Sequence, residues 1–286
     1  MRGRPVSAFW HRRVVTCRSL RRLHRPSRQN AVGAAPGHLY NPAMKMICTA
    51  VVVGLVSSAH AGTVVLESSR DNTLYETPDG SRSNGAGPVM FSGLNSLADR
   101  RRAVMYFDIA GSVPAGSTIT AVTLQLHNSS QNASLATLSL HRLQADWGEG
   151  TSAAGGAMGG GSGAPSTAGD ATWLHTFHDT SLWSTPGGDF NAAASTQTDV
   201  GGAGAYMWPS TTALVADVQG FLDAPGANFG WLMRGDEMNP SSGKRFWTRE
   251  VADAALRPTL TVTYIPTPGT LAPMLGVAAV VSRRRR

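Results

Sequence analysis

Between residues 62 and 265 the chain carries short runs in which apolar and polar residues alternate with a period of two. Val64 and Leu66 open the first run. In the second, Ala103, Met105, Phe107 and Ile109 share one face, and Arg102, Val104, Tyr106 and Asp108 the other. A third turns Ile119, Val122, Leu124 and Leu126 inward and Thr123, Gln125 and His127 outward, with a slip of phase near Ala121. Leu138 with Leu140, then Phe229, Trp231 and Met233, then Leu260, Val262 and Tyr264 repeat the signal. Clusters of Gly, Pro, Asn and Ser separate the runs, which argues for an all-β chain, an antiparallel β-sandwich or jelly roll, over any α/β fold. One stretch departs from the pattern. Leu214, Val215, Val218, Phe221 and Leu222 follow the helical period, with Thr211 or Thr212 as cap and Pro225-Gly226 as stop. This predicts one short helix covering an end of the sandwich.

Outside those limits the pattern changes. Met44-Lys45-Met46, the apolar run 47–56 and Ser57-Ser58-Ala59-His60-Ala61 read as the charged, apolar and cleavage regions of a signal peptide at 44–61. The run is half the roughly 20 residues of a membrane span, so export with cleavage after Ala61 is expected. Residues 1–43 hold nine Arg and no acid, and have no apolar period. Either translation starts at Met44 or Met46, or this is an Arg-rich targeting or nucleic-acid-binding arm. The only cysteines, Cys17 and Cys48, fall in these leading segments, so an exported body is held by core burial, with or without a metal ion, and not by disulfides.

Charge sharpens the division. The formal net charge is +7, from 25 Lys plus Arg and 18 Asp plus Glu. Fourteen of the basic residues lie in the two ends, whereas every acid lies between Glu67 and Asp253, so the body 62–265 has a net charge of −7. No nucleic-acid partner is expected for such a body. With 42% hydrophobic residues and seven Trp, the chain can bury a core.

Two resemblances follow from particular segments. Ile265-Pro266-Thr267-Pro268-Gly269-Thr270, the apolar stretch 271–281 and Arg283 to Arg286 resemble the PEP-CTERM sorting signal, with Thr267 in place of the family's Glu and Pro273 interrupting the apolar stretch. The resemblance implies a tail, 266–286, held transiently at a bacterial inner membrane by the sorting machinery and then processed, leaving the protein at the cell surface or in an extracellular polysaccharide matrix. An incidental apolar tail is the alternative. Asp71-Asn72-Thr73-Leu74-Tyr75-Glu76 matches four of the six letters that name the DNRLRE domain. Further segments that look like that family's follow in order: 113–119, Asp146-Trp147-Gly148-Glu149-Gly150, 228–231, Lys244-Arg245-Phe246 with Arg249-Glu250, and 258–264. This resemblance covers almost all of 62–265. It implies an extracellular β-sandwich related to carbohydrate-binding modules, some of which bind acidic polysaccharides, and it implies no catalytic set.

Candidate chemistry is sparse. There is no nucleophile elbow and no His-Glu-x-x-His. His175 and His178 would lie on opposite faces of a strand, so a shared metal needs a turn there. Asp146 with Glu149, and Asp236 with Glu237, sit in Gly-flanked loops where acids serve acid/base chemistry or, more commonly, cap turns and pair with Arg. Asp71, Asn72 and Asp146 offer oxygen ligands for a structural Ca²⁺; no other cofactor is required. The Gly-rich stretch 149–170 lacks the strand and Lys of a phosphate cradle and reads as a mobile surface loop.

The most suggestive group is a stripe. In 244–250, Phe246 and Thr248 share one face, and Arg245, Trp247 and Arg249 share the other. With Phe246 inward, the indole could stack on a pyranose ring while each guanidinium grips a sugar carboxylate. The competing reading makes Trp247 core and pairs both Arg with Asp236, Glu237 or Asp108. Trp147, and after it Trp173, Trp183 and Trp208, are further platform candidates, while Trp231 belongs to the core. Three functional classes remain: a secreted, non-catalytic polysaccharide-binding protein, which is favoured; a purely structural or adhesive matrix protein; and, furthest, a polysaccharide lyase or hydrolase.

Overall fold

The computed structural model describes residues 60–155 and 160–267. The Arg-rich leader, nearly all of the signal segment and most of the tail lie outside these residues. In chain order the strands are β1 (Gly62–Glu67), β2 (Arg70–Tyr75), β3 (Arg82–Ser83), β4 (Val89–Leu94), β5 (Arg100–Tyr106), β6 (Thr118–Asn128), β7 (Ala136–Arg142) and β8 (Ala164–Pro165). They continue with β9 (His175–Phe177), β10 (Ser181–Leu182), β11 (Thr196–Val200), β12 (Gly204–Trp208), β13 (Trp231–Arg234), β14 (Lys244–Trp247) and β15 (Thr259–Ile265), with helix α1 (Thr212–Asp223) between β12 and β13.

Eleven strands form one antiparallel system folded into two layers, an all-β sandwich. The first layer runs β1, β15, β6, β12, with β14 beside the far end of β6; the second runs β2, β5, β13, β7, β11. β4 belongs to both. Its residues Val89 to Ser92 pair with β14, and Gly93 and Leu94 pair with Arg101 and Arg100 of β5. The corner turns at Gly93, whose φ of +112° suits only glycine and whose Cβ would lie 3.0 Å from the Gly243 Cα. At the opposite corner Thr198 of β11 donates its hydroxyl to the Met207 carbonyl of β12 at 2.7 Å.

The alternation places most of its residues as read from sequence; Phe229 is the exception, packing against the outer-face cluster of Leu74, Val104 and Leu232 while Trp231 and Met233 lie between the layers. Ala103, Met105, Phe107 and Ile109 meet Val122, Leu124, Leu126 and Val262 between the layers, with Trp208 and Phe246 fully buried among them. The slip near Ala121 is a β-bulge: Thr263 faces Ala121 and Tyr264 faces Ile119, so Thr120 has no partner across the ladder. Helix α1 closes one end. Thr211 is extended, its Oγ1 accepts the Leu214 amide at 3.0 Å, and Leu214, Val218, Phe221 and Leu222 are buried, with the Phe221 ring 5.1 Å from that of Trp231.

The outer face of the second layer is not solvated. Leu74, Val104 and Leu232 carry a second core there with Leu143, Trp147, Trp173 and Trp183. The excursion between β7 and β11 folds over that face. Here the reading of 149–170 as a mobile loop is corrected on both sides of 156–159: β8 pairs with β3, the Tyr75 hydroxyl donates to the Gly160 carbonyl, and Asp170 accepts the Thr167 amide at 2.6 Å. Gly150 makes this packing possible, since at φ +71° an added Cβ would sit 1.5 Å from Asp170 Oδ1.

Candidate functional site

Strand β14 carries Arg245 and Trp247 of the stripe; it ends at Trp247, and Arg249 follows in a turn. Phe246 and Thr248 point into the core as expected, which leaves Arg245, Trp247 and Arg249 half-buried on the other side. The two arginines have different neighbours. Arg249 places Nη1 3.1 Å from Glu149 Oε2 and 3.0 Å from Glu250 Oε1. Arg245 reaches no acid among the described residues; its Nε donates to Ser129 Oγ at 2.9 Å and its Nη2 to the Ser129 carbonyl at 3.1 Å. Neither uses the expected partners Asp236, Glu237 or Asp108. Arg102 takes Glu237 in a two-pronged pair at 2.7 and 3.0 Å instead.

A groove of about 840 Å³ opens at the Arg245 end. Arg245 and Arg101 contribute guanidinium groups to its wall, Phe91 an aromatic ring, and Asn95, Gln131 and Asn132 amides. Phe91 lies across the ladder from Arg245, whereas Trp247 lies across from Val89 and does not line the groove. The acid in the wall is Asp236, and its carboxylate is already bound: Oδ1 accepts the Met238 and Asn239 amides at 2.8 and 3.1 Å, and Oδ2 accepts the Asn239 side-chain amide at 2.7 Å. These bonds hold its carboxyl below the usual range. Arg101 is fixed with its guanidinium 5.0 Å from the centre of the buried Tyr75 ring and Nη1 donating to the Arg100 carbonyl at 2.8 Å. Arg101 Nη2 also lies 3.9 Å from Asp99 Oδ2, and the side-chain amides of Asn95 and Asn132 donate to Asp99 Oδ2 at 2.9 Å and to the Ser241 carbonyl at 2.7 Å, so Arg245 is the guanidinium in this wall without an acid partner among the described residues.

Beneath it, Lys244 is wholly buried on the inward side of β14. Its ammonium donates to the carbonyls of Asn132, Ser134 and Gly201 at 2.8, 2.5 and 2.9 Å, so all three protons are used and no carboxylate is involved. Burial pushes its pKa down. This lysine tethers the 130–134 segment, one wall of the groove, to β14. Alternation alone put it beside Phe246, but nothing nearby in sequence announces its three carbonyls.

The other platform candidates are corrected. Trp147 is 0% exposed, with Nε1 donating to the Phe229 carbonyl at 2.9 Å, and Trp173, Trp183 and Trp208 are buried as well. They pack because the second core and the inter-layer core each need large apolar volume. Trp231 is core, as read.

Segments distant in sequence converge at the Arg249 end. Carboxylate oxygens of Asp71, Glu149 and Glu250 lie within 4.8 Å of one another. Asp71 Oδ2 accepts from Ser68 Oγ at 2.8 Å and from the Arg249 amide at 3.0 Å, and Glu149 Oε1 accepts the Asp71 amide at 2.9 Å. Burial, then the charge of Glu250, drives the Asp71 carboxyl well above its ordinary range, and burial also raises Glu149. The Ca²⁺ ligand set expected from sequence is revised here. Asp71 is in this trio, but Asn72 uses its Oδ1 for the Thr73 amide, Ser83 Oγ and the Asn84 amide, and Asp146 pairs with Arg70 at 3.1 Å. His175 and His178 do meet at a turn, with ring centres 4.9 Å apart; Asp179 Oδ2 lies 3.4 Å from His178 Nδ1, but the three do not form a mutually close ligand group. Compared with protein-family models and with curated proteins, the chain matches none.

Proposed function

We propose that residues 62–265 form a secreted, non-catalytic module that binds an acidic polysaccharide in the groove at Arg245. The observation that carries this reading is a guanidinium without an acid partner among the described residues, in an open groove whose lining carboxylate is already bound. A uronate carboxylate would satisfy Arg245, Phe91 would pack on a sugar face, and Gln131 would take a hydroxyl. The resemblance of 71–76 and the later segments to DNRLRE domains points the same way, and so does the position of β1, whose first residue, Gly62, directly follows the expected cleavage point. The basic-tipped tail fits delivery to a bacterial surface or matrix. A non-catalytic role is supported by the engagement of the acids singled out in sequence: Asp146 pairs with Arg70, Glu149 with Arg249 and Glu237 with Arg102, and Asp236 accepts the Met238 and Asn239 amides.

The test is affinity electrophoresis and calorimetry of the purified protein against polyuronate and neutral glucan. Retention by the polyuronate that weakens steeply with salt supports the reading. Absence of retention by any polysaccharide sinks it, and leaves the structural or adhesive matrix role. That second reading has its own supporting observation, the burial of Trp147, Trp173, Trp183 and Trp208, which leaves no open indole platform among them.

A further inference from the structure

We propose that Asp71, Glu149 and Glu250 hold a Ca²⁺ ion that ties three remote segments together at one end of the sandwich. Two observations besides the acid trio point to a cation. Asp71 is 0% exposed, and while its Oδ2 is fixed by Ser68 and Arg249, its Oδ1 has no hydrogen-bond partner. Glu250 repeats the arrangement: Oε1 meets Arg249, and the buried Oε2 has no partner. A buried carboxylate oxygen without a donor costs about 1–3 kcal/mol or more, so two at one place call for a shared positive group.

Charge and size identify it. Three carboxylates against the Arg249 guanidinium leave two negative charges, which a divalent ion cancels. Oxygens within 4.8 Å of one another are spanned by a single ion whose oxygen distances are about 2.3–2.6 Å, and hard oxygen donors without His or Cys select Ca²⁺ over transition metals. Main-chain bonds pre-set the site, because Asp71 accepts the Arg249 amide and donates its own amide to Glu149. Asp71 sits on β2 in the second layer and Glu250 just after β14 in the first, so the ion clamps the two layers. This inference is independent of polysaccharide binding.

The experiment uses the full purified chain, stripped with EGTA and dialysed. Mass-spectrometric metal analysis after Ca²⁺ dialysis is expected to give about one ion per chain, and Ca²⁺ at a hundredfold excess over its Kd to raise Tm by about 5–10 °C. Equal Mg²⁺ should give a smaller rise. Glu250→Gln, at the half-exposed rim, should fold and weaken Ca²⁺ affinity at least tenfold; Asp71→Asn should lose the Tm response. If wild type takes up no Ca²⁺, the clamp is refuted, and a protonated Asp71 carboxyl is the better account. Unchanged affinity in Glu250→Gln refutes the assigned ligands.

Discussion

Arg245 on β14 and Arg249 in the turn that follows it lie four residues apart, yet one has no acid partner among the described residues and the other is held by two. Their own segment supplies one of those acids, Glu250, and the fold supplies the other. Arg249 is neutralised largely because the loop at Glu149, a hundred residues earlier, folds across it, while the chain opposite Arg245 supplies Ser129 and amide side chains. A cationic side chain is available for a ligand only where the fold has brought it no carboxylate.

Four measurements break or sharpen that contrast. Lys244→Met should have the largest effect, because it strands three carbonyls under the groove; we expect a loss of about 3 kcal/mol in urea unfolding, and retained stability would mean the tether to 130–134 does not shape the Arg245 side. Glu237→Gln follows at about 2 kcal/mol, since it breaks the nearly buried pair with Arg102, a third arginine that is fully used. Burial would raise Glu237, but the bonds and charge of Arg102, with Arg234, outweigh it and hold its carboxyl below the ordinary 4.5. Its folded pKa is thus depressed, so the stability it supplies is complete above pH 4.5 and lost as pH falls through the lower folded value; the variant's acid limb should be flatter in that window. Arg249→Ala should cost about 1 kcal/mol and leave polyuronate affinity unchanged. Arg245→Ala should move stability by less than about 0.5 kcal/mol and lower affinity about tenfold. Reversal of the last two outcomes would place the ligand at the wrong end of the stripe.

Much of this architecture could be read before the structure. Apolar alternation located β1, β5, β6, β7, β13 and β15 but not β2, β4, β11 or β12; the phase slip near Ala121 located the bulge at Thr120, and a 3.6-residue period with Thr211 and Pro225 bounded the helix. Those signals are local, set by the pleat and by caps. The site was legible in part. Alternation on β14 put Phe246 inward and the Arg245 face outward, but Phe91 and Arg101 enter the groove through β4 and β5, and strand pairing cannot be read from either segment alone. Trp147 misled because its Gly-flanked loop looks like a surface, whereas the outer face of the second layer has its own apolar demand at Leu74, Val104 and Leu232. Asp71 was recognisable as a ligand candidate, but its companions arrive from Glu149 and Glu250 and not from its neighbour Asn72.

The first and last strands lie side by side, with Gly62 opposite Tyr264, so the chain enters and leaves the sandwich at one corner. Tension applied between those two ends acts on that single rung and opens the β1–β15 ladder one bond at a time, as a zipper does. Tension between the groove and Ile265 is borne differently. The groove adjoins the Asn128 end of β6, and Ile265 is paired with Thr118 at its other end, so the pull slides β15 along β6 and loads all seven of their paired positions together. The same body thus yields easily when drawn apart at the β1–β15 corner and resists a pull directed along β6.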